Sequence, residues 1–367
     1  MSPSSSPSDD PFAFLTLTGP VPRLTSSRAW VAAVLEAEAA LAAAQADEGV
    51  VPPAAADAIA AACDVERVDV AAIVEEAALG GNLVIPLLPR LRALVGDEHA
   101  GAVHLGATSQ DIVDAATALV VHRCGDAVAA VLGDSARIVA GLAADRGDAP
   151  MIARTLGQHA VPTTFATVTD RWSDGLAEAA AALTTASRSP VGLGGPSGDG
   201  RSFGAAHHAV VERFAARLGL PATPVARHGQ RSGTAAVAGA WGLAASVIAR
   251  IGLDVVLLAQ DDVGEVAEAA PGAGGSSSMP HKRNPVAAIS ARAAAMQAPG
   301  LVATLLHAAG SGELERAAGA WHAEWPALNG LLRATGSAAQ WLHTSLGRLA
   351  VDPARMAANL SRSQEHR

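Results

Sequence analysis

Residues 271–285 read PGAGGSSSMPHKRNP and concentrate more chemistry than any other stretch of the chain. Three glycines give the segment backbone freedom, three serines follow, and His281–Arg283 place positive charge directly before a helix predicted to begin near Pro285. A hydroxyl beside cations and a helix N-terminus suits an anionic substrate, and the cations stabilise an alkoxide, so a serine here can act as a base. On composition alone, a solvated Gly/Ser linker with an incidental charge run remains the alternative.

The lysine in this segment is singular. Lys282 is the only lysine in 367 residues, and all other basic side chains are Arg or His. Because the chain meets every other need for positive charge without lysine, the exception predicts a role that requires a compact ammonium group.

The composition predicts a helical protein of a reducing compartment. Half of the residues are hydrophobic but only 3% are aromatic, so the apolar content is mostly Ala, Val and Leu, which favours helices. The hydrophobic fraction excludes a disordered chain, and two cysteines exclude a disulfide scaffold. Cys63 and Cys124 fit no paired metal spacing, which indicates a cytoplasmic location. The net charge of −9 argues against a nucleic-acid partner.

The predicted helices become longer towards the C-terminus, and the alternation of apolar and polar residues that is typical of strands is almost absent. We expect short helices in the first hundred residues and five long helices afterwards, at Asp111–Arg146, Pro162–Ser187, Ser232–Ala270, Pro285–Ala309 and Trp325–Leu349. Long helices without charged heptads predict an all-α bundle. Ser232–Ala249 is long enough for a membrane span, but its Ala/Gly content predicts the buried centre of a tight bundle instead.

Three segments carry a resemblance to a known family. Gly275–Pro285 fits the pattern Gly-Ser-Ser-x-Met-Pro-x-Lys-x-Asn-Pro, with Lys282 at the lysine position, and resembles the signature loop of the fumarase/aspartase superfamily. His104–Asp111, HLGATSQD, resembles the first of the superfamily's other regions, and Arg154–Pro162, RTLGQHAVP, resembles the second. Taken alone, the first of these is also an ordinary capped helix start, and a lone His159 is more often structural.

The resemblance implies the organisation of the whole molecule. The polar start of the chain predicts a disordered tail at 1–14. An all-α, fumarase/aspartase-like fold is expected after it, with an N-terminal helical domain at 15–105, a central bundle of long helices at 106–348 and a remnant of the C-terminal domain at 349–367. Relatives continue with a further small helical domain, so this C-terminal domain is expected to be truncated. Superfamily members are homotetramers whose active sites are each built by three chains, and the same assembly is expected here.

The resemblance also implies a site for a small polycarboxylate. Ser276 is expected to transfer the proton, with His159 as a second acid/base or orienting residue. Substrate binding is expected from the three regions and one further arginine, namely from His104, Thr108, Ser109, Thr155, Gln158, Lys282, Asn284 and Arg316. No metal or other cofactor is expected, and no membrane. Members with a histidine after the second-region threonine use it in catalysis, whereas this chain has Leu156 there, so their two-base scheme does not transfer directly.

Further stretches resemble one branch of the superfamily, the bacterial 3-carboxy-cis,cis-muconate cycloisomerases. They are Gly81–Pro86, Met279–Val286, Ala298–Leu306, Gly319–Trp325 and Val351–Leu360. The resemblance implies a cytoplasmic enzyme of protocatechuate catabolism, in the β-ketoadipate pathway, that interconverts 3-carboxy-cis,cis-muconate and 4-carboxymuconolactone. Two rivals stay open. One is a same-fold lyase that eliminates fumarate from a succinyl-type substrate such as adenylosuccinate, and the other is a catalytically silent, tetramer-forming homologue.

Departures from the family pattern motivate the second rival. Pro196–Asp199 stands where the family continues with Ala-Ala-Gly-Thr, Ser232 stands where it has an acid, and Leu314 where a histidine is common. The expected truncation would impair turnover, and together with the departures around Pro196 and Ser232 it suggests a catalytically silent homologue.

Overall fold

The computed structural model describes residues 10–269, 272–279 and 281–365. Within these residues the chain is mostly helical, and its strands form two short antiparallel pairs, which confirms the predicted all-α class. Of the predicted tail, residues 1–9 lie outside the described part, and Ala13–Leu15 form a single 3-10 turn.

Five α-helices lie between residues 10 and 100. They are α1 (Val21–Leu24), α2 (Ser27–Asp47), α3 (Pro53–Ala62), α4 (Val70–Gly80) and α5 (Val84–Val95). Ser26 caps α2 by accepting the N–H of Ala29 on its hydroxyl at 3.2 Å. Gly81 ends α4 with φ +74°, a left-handed conformation that favours glycine.

Long helices follow and carry the core. They are α6 (Ser109–Arg146), α7 (Phe165–Ala186), α8 (His207–Arg217), α9 (Ser232–Leu258), α10 (Val286–Ala295), α11 (Ala298–Ala309), α12 (Ala320–Gly347) and α13 (Pro353–Glu365). Helix α6 packs on α7 and α12, while α12 also packs on α9, α10 and α11. Trp172 and Trp241 are fully buried in this bundle. At Gly336 of α12, a Cβ would lie 2.4 Å from a methyl group of Val21, so glycine permits the close approach of α1.

The strands lie between the long helices. Strand β1 (Pro150–Thr155) pairs with β2 (Gln158–Thr164), and β3 (Val266–Glu268) pairs with β4 (Leu349–Val351). The sequence pattern placed two of these segments in helices. The helix predicted over Pro162–Ser187 begins only at Phe165, and the helix predicted over Ser232–Ala270 ends at Leu258. Both predictions were wrong at the strand residues, because strand pairing, with the adjacent β1 for β2 and with the distant β4 for β3, outweighs local helix propensity.

One continuous core joins the predicted domains. It contains side chains from α2, α6, α9, α12 and α13, for example Val34, Leu119, Trp241, Leu342 and Met356. The domain boundaries at 105, 348 and 14 remain predictions.

By length and composition, four helical stretches of the described residues could cross a membrane, namely Ser27–Asp47, Ser109–Arg146, Ser232–Leu258 and Val286–Ala309. The last is two helices, because the chain breaks at Met296 and Gln297 before Pro299 in the first turn of α11. Small residues of α9 such as Ala244, Ala245 and Gly252 are buried against neighbouring helices, so the bundle itself accounts for their apolar character.

Candidate active site

Ser276 is held with its hydroxyl oxygen facing two backbone donors. Its Oγ accepts the N–H of Met279 at 3.1 Å and the N–H of Ser278 at 3.3 Å. Hydrogen bonds to the charged form of a group favour that form. The loop backbone therefore stabilises negative charge on the oxygen that the sequence predicted to move the proton.

Asn284 closes the loop around this serine. Its backbone N–H and its side-chain amide both donate to the carbonyl oxygen of Gly274, at 2.8 and 3.2 Å. Gly274 has φ +71°, and a Cβ there would lie 2.3 Å from the Asn284 carbonyl oxygen. The turn thus requires glycine, and it places Asn284 on the same loop as Ser276.

The helix N-terminus behind the loop is already occupied. The carboxylate of Glu268 accepts the N–H of Ala287 at 3.0 Å and of Ala288 at 2.8 Å, so Glu268 caps α10. The sequence pattern associated this helix start with an anionic substrate, whereas in the structure the carboxylate of Glu268 holds these two N–H groups.

Lys282 projects from the surface of the loop. Its side chain is exposed, and within the described residues no carboxylate pairs with it. Its backbone N–H donates to the Met279 carbonyl at 3.1 Å, which fixes the main chain at its position. The ammonium group is therefore free to meet an anionic ligand.

The first region forms the start of α6. His104 has φ +63°, and its Nδ1 lies 2.6 Å from Oε1 of the buried Glu38, so only Nε2 remains for a ligand. The N–H of Thr108 donates to the Asp111 carboxylate at 2.9 Å, the pattern of a capping box. The Ser109 hydroxyl makes no hydrogen bond within the described residues and is half-buried.

A buried network continues from Asp111. Besides Thr108, its carboxylate accepts the N–H groups of Gly194 at 2.7 Å and Gly195 at 2.9 Å, and lies 2.8 Å from Nε2 of His228. The other ring nitrogen of His228 lies 2.8 Å from an N–H group of Arg316. His228 therefore carries its proton on Nε2 and accepts from Arg316 on Nδ1.

Arg316 uses its terminal N–H groups within the chain. Nη1 donates to His228 and to the Glu315 carbonyl, and Nη2 donates to the carbonyls of Gly195 and Pro196, at 3.3 and 2.6 Å. Within the described residues only the Nε–H is uncommitted, so in this conformation Arg316 clamps the glycine-rich loop. Its predicted pairing with a substrate carboxylate remains a prediction, for which the Nε–H is available without loss of these bonds.

The second region is the hairpin of β1 and β2. Thr155 is paired with Gln158, and Arg154 with His159, so the two pairs lie on opposite faces of the hairpin. The side chains of Thr155, Gln158 and His159 are exposed and make no hydrogen bonds within the described residues. The hairpin is anchored because Arg154 binds the buried carboxylate of Glu265 through two N–H groups, at 2.7 and 3.0 Å.

The three regions do not meet within one chain. A cavity of about 910 Å³ beside the hairpin is lined by Thr155 and His159, but neither Ser276 nor Lys282 nor Thr108 lines it. The structure joins Thr108 to Arg316 through Asp111 and His228, and Ser276 to Lys282 and Asn284 through the loop. It leaves the hairpin residues apart from both sets.

Sequence reasoning missed the buried acids and their partners. Asp111 carried a signal, since Thr108 followed three residues later by an acid is a capping-box pattern. No local pattern indicated the partners of His228. The same holds for the ion triad of Arg231, Asp114 and Glu324, which links α6, the start of α9 and α12. Within the described residues no group of three His, Cys, Asp or Glu side chains is arranged to hold a metal ion.

Protonation of Asp111 should lower the free energy of unfolding at acidic pH. Burial disfavours its charge, but the hydrogen bond and electrostatic interaction with His228 and the backbone N–H groups of Gly194 and Thr108 outweigh burial and lower the pKa. An acid with a depressed pKa stabilises the fold above its unfolded value of about 4, and this contribution is lost as the pH falls through the folded value.

We therefore expect the free energy of unfolding of Asp111→Asn to be lower at pH 7 and to depend less steeply on pH below about 4 than that of the wild type. Urea unfolding at several pH values measures this, with the exposed Asp145→Asn as control. Equal slopes for Asp111→Asn and wild type would contradict the assignment.

The described residues thus place a serine that accepts two backbone N–H groups and an exposed lysine on one loop of a long-helix bundle, and exposed polar side chains on its hairpin. The family profile described as Lyase matches residues 22–300, and the chain belongs to this lyase family of the fumarase/aspartase superfamily. The resemblance found in the signature loop is thereby confirmed.

Individual relatives differ in their reactions. The chain is 42% identical to the 3-carboxy-cis,cis-muconate cycloisomerase of Bradyrhizobium diazoefficiens over 333 residues, which cover 89% of this chain and 74% of the relative. It is also 42% identical to the nitrosuccinate lyase of Streptomyces davaonensis over 358 residues, with 93% and 74% covered. The fold matches the 3-carboxy-cis,cis-muconate lactonizing enzyme from Pseudomonas putida with a TM-score of 0.89 and 34% identity, covering 97% of this chain and 80% of that one.

Proposed function

We propose that the protein is a cycloisomerase that interconverts 3-carboxy-cis,cis-muconate and 4-carboxymuconolactone. The observation that carries the proposal is the Ser276 oxygen, which faces two backbone N–H donors on the loop that also presents Lys282. The 42% identity to a cycloisomerase and the fold match to a lactonizing enzyme support the choice of substrate.

The chemistry follows from these groups. In the direction of lactone opening, deprotonated Ser276 removes the proton α to a carboxylate. The electron pair of that C–H bond forms the alkene, and the C–O bond at the β carbon breaks with its electron pair on the departing carboxylate oxygen. In lactonisation the carboxylate oxygen adds to one alkene carbon, and Ser276 returns the proton to its neighbour. Charge that develops on the α carbon spreads into the adjacent carboxylate, which Lys282 and Asn284 are placed to bind. The steps move a proton and a C–O bond, and no redox cofactor enters them.

The remaining predicted residues have roles across subunits. Thr108, Ser109 and Gln158 of other chains would bind further carboxylates, and His159 would orient the substrate or exchange the second proton. Two observations support such an assembly. Only 22% of the most apolar window of α6 is buried within one chain. Apolar side chains on α9, α10 and α11 are also exposed, namely Leu257, Ile289 and Leu306. We infer a cytoplasmic homotetramer with shared sites, acting on a small polycarboxylate.

The identity to nitrosuccinate lyase keeps one alternative in view. A lyase of the same fold would use the same proton abstraction, with a different leaving group at the β carbon. The departures at Pro196–Asp199 keep a catalytically silent homologue as the other alternative.

One spectrophotometric experiment separates the three possibilities. Purified protein is supplied with 3-carboxy-cis,cis-muconate and, in parallel, with succinyl-type substrates, while light scattering on the same sample gives the mass. Loss of the muconate absorbance by a tetramer supports the proposal. Fumarate release alone favours the lyase, no turnover of either favours the silent homologue, and an active monomer contradicts the shared site.

Lys282 provides a test of geometry against charge. Lys282→Arg keeps the charge but replaces a compact ammonium by a wide planar fork. We expect it to lose most of the turnover, and Lys282→Met to lose more and to raise KM as well. Steady-state kinetics of the two variants measure this. Near wild-type kcat and KM for Lys282→Arg would contradict this role. They would show that Lys282 contributes only positive charge to the surface.

A further inference from the structure

Leu156 occupies an unusual place at the tip of the hairpin. It lies between β1 and β2 in a two-residue turn with Gly157, and both residues have positive φ, +52° and +78°. Such a turn suits Asn-Gly, since a leucine side chain is strained in the left-handed region. The chain therefore keeps a residue that costs local stability.

The side chain of Leu156 is fully exposed and is not buried by any described part of the chain. Its relative exposure is 102%, as large as that of a free residue. Its neighbours Thr155, Gln158 and His159 are also exposed and without hydrogen-bond partners in the described residues. Backbone strain kept at an exposed position points to function when the surrounding structure holds it in place.

The surrounding structure does hold the tip in place. Arg154, two residues before Leu156, is bound through two N–H groups to Glu265, which is fully buried. Asn359 of α13 donates to the same carboxylate at 2.8 Å. A rigid base thus presents one apolar side chain among three free polar ones.

We propose that Leu156 is a specificity-determining residue that contacts the hydrocarbon skeleton of a polycarboxylate substrate while neighbouring polar groups bind its carboxylates. This rests on the proposed function. An apolar contact discriminates by burial rather than by hydrogen bonding, so it favours an unsaturated or cyclic carbon skeleton over a substrate that carries a polar substituent there.

The test compares Leu156→Asn with Leu156→Met. Asparagine fits the turn but removes the apolar contact, so we expect the midpoint of thermal unfolding to rise and KM for 3-carboxy-cis,cis-muconate to rise about tenfold, with kcat within about threefold. Methionine keeps the contact, and its KM should stay within about twofold of the wild type.

Two matched controls interpret these numbers. Leu314 is 93% exposed with φ +50°, so Leu314→Asn shows how much relief of strain alone raises the midpoint. Leu79 is 91% exposed on a helix, and Leu79→Asn should leave KM unchanged. The proposal is overturned if Leu156→Asn leaves KM at the wild-type value. It is also overturned if the midpoint falls while KM is unchanged, which would make Leu156 a subunit contact.

Failure of the proposed function is distinguishable from failure of this inference. If the wild type does not turn over the muconate, calorimetry with benzene-1,2,4-tricarboxylate, an unsaturated tricarboxylate, tests the role of Leu156 in binding. A dissociation constant about tenfold weaker for Leu156→Asn than for wild type and Leu156→Met supports the inference. Equal constants, or no binding to the wild type, overturn it.

Discussion

Ser276→Ala should lower kcat by about 10²-fold or more, because it removes the group that exchanges a proton with the substrate. The fold should be unaffected, since among the described residues the lost oxygen accepts two N–H groups of its own exposed loop, those of Ser278 and Met279. Steady-state kinetics together with circular dichroism of the variant measure both expectations. A parallel loss of helical signal would show that the serine is structural.

The matched control for this variant is Ser278→Ala. Ser278 lies two residues further along the same exposed loop, at a position that the superfamily pattern leaves free. We expect its kcat to remain within about threefold of the wild type, far from the loss expected for a proton-transfer group. Equal activities of Ser276→Ala, Ser278→Ala and wild type would remove Ser276 from the mechanism.

Arg231→Leu should lower the free energy of unfolding by about 3–5 kcal/mol, because it leaves two carboxylates without their counter-charge. The Arg231 side chain is 7% exposed and binds Asp114 at 2.6 Å and Glu324 at 2.5 Å. Burial opposes the charge of Arg231, but both carboxylates outweigh it and raise its pKa, so the guanidinium stays charged. The triad therefore ties together α6, α9 and α12.

Urea unfolding measures this loss, at one protein concentration because the stability of an oligomer depends on it. The surface pair of Arg217 and Asp47, also 2.6 Å apart, gives the control. Because this pair is exposed to solvent, Arg217→Leu should cost at most about 1 kcal/mol. Similar losses for both variants would show that Arg231 acts through packing rather than through its buried charge.

The long helices could be predicted from the sequence because their signals are local. Ser109–Arg146 lies within two residues of the predicted limits. The break at Met296 was also encoded locally, by Pro299 in the first turn of α11, but the prediction ran through it. The hairpin was not predicted, because its strands depend on their pairing and on the bond from Arg154 to Glu265, which lies 111 residues away.

The candidate site shows the same division. The loop residues Ser276, Lys282 and Asn284 were found through a contiguous pattern and lie on one loop. The partners of buried charges were not found, since Asp111 and His228 are 117 residues apart and meet only in the fold. The position of Glu268 at the N-terminus of α10 likewise depends on the β3–β4 pairing. No local sequence pattern predicts this pairing.

The cap that Glu268 places on α10 has a consequence for the entropy of substrate binding. The loop that carries Ser276 leaves the sheet directly after Glu268 and returns to the helix that the same carboxylate holds. Both ends of the loop are therefore held together before any ligand binds. The entropic cost of bringing them together is included in the free energy of folding. A substrate that orders the loop restricts only its interior residues. More of the interaction energy with the carboxylates then remains as affinity.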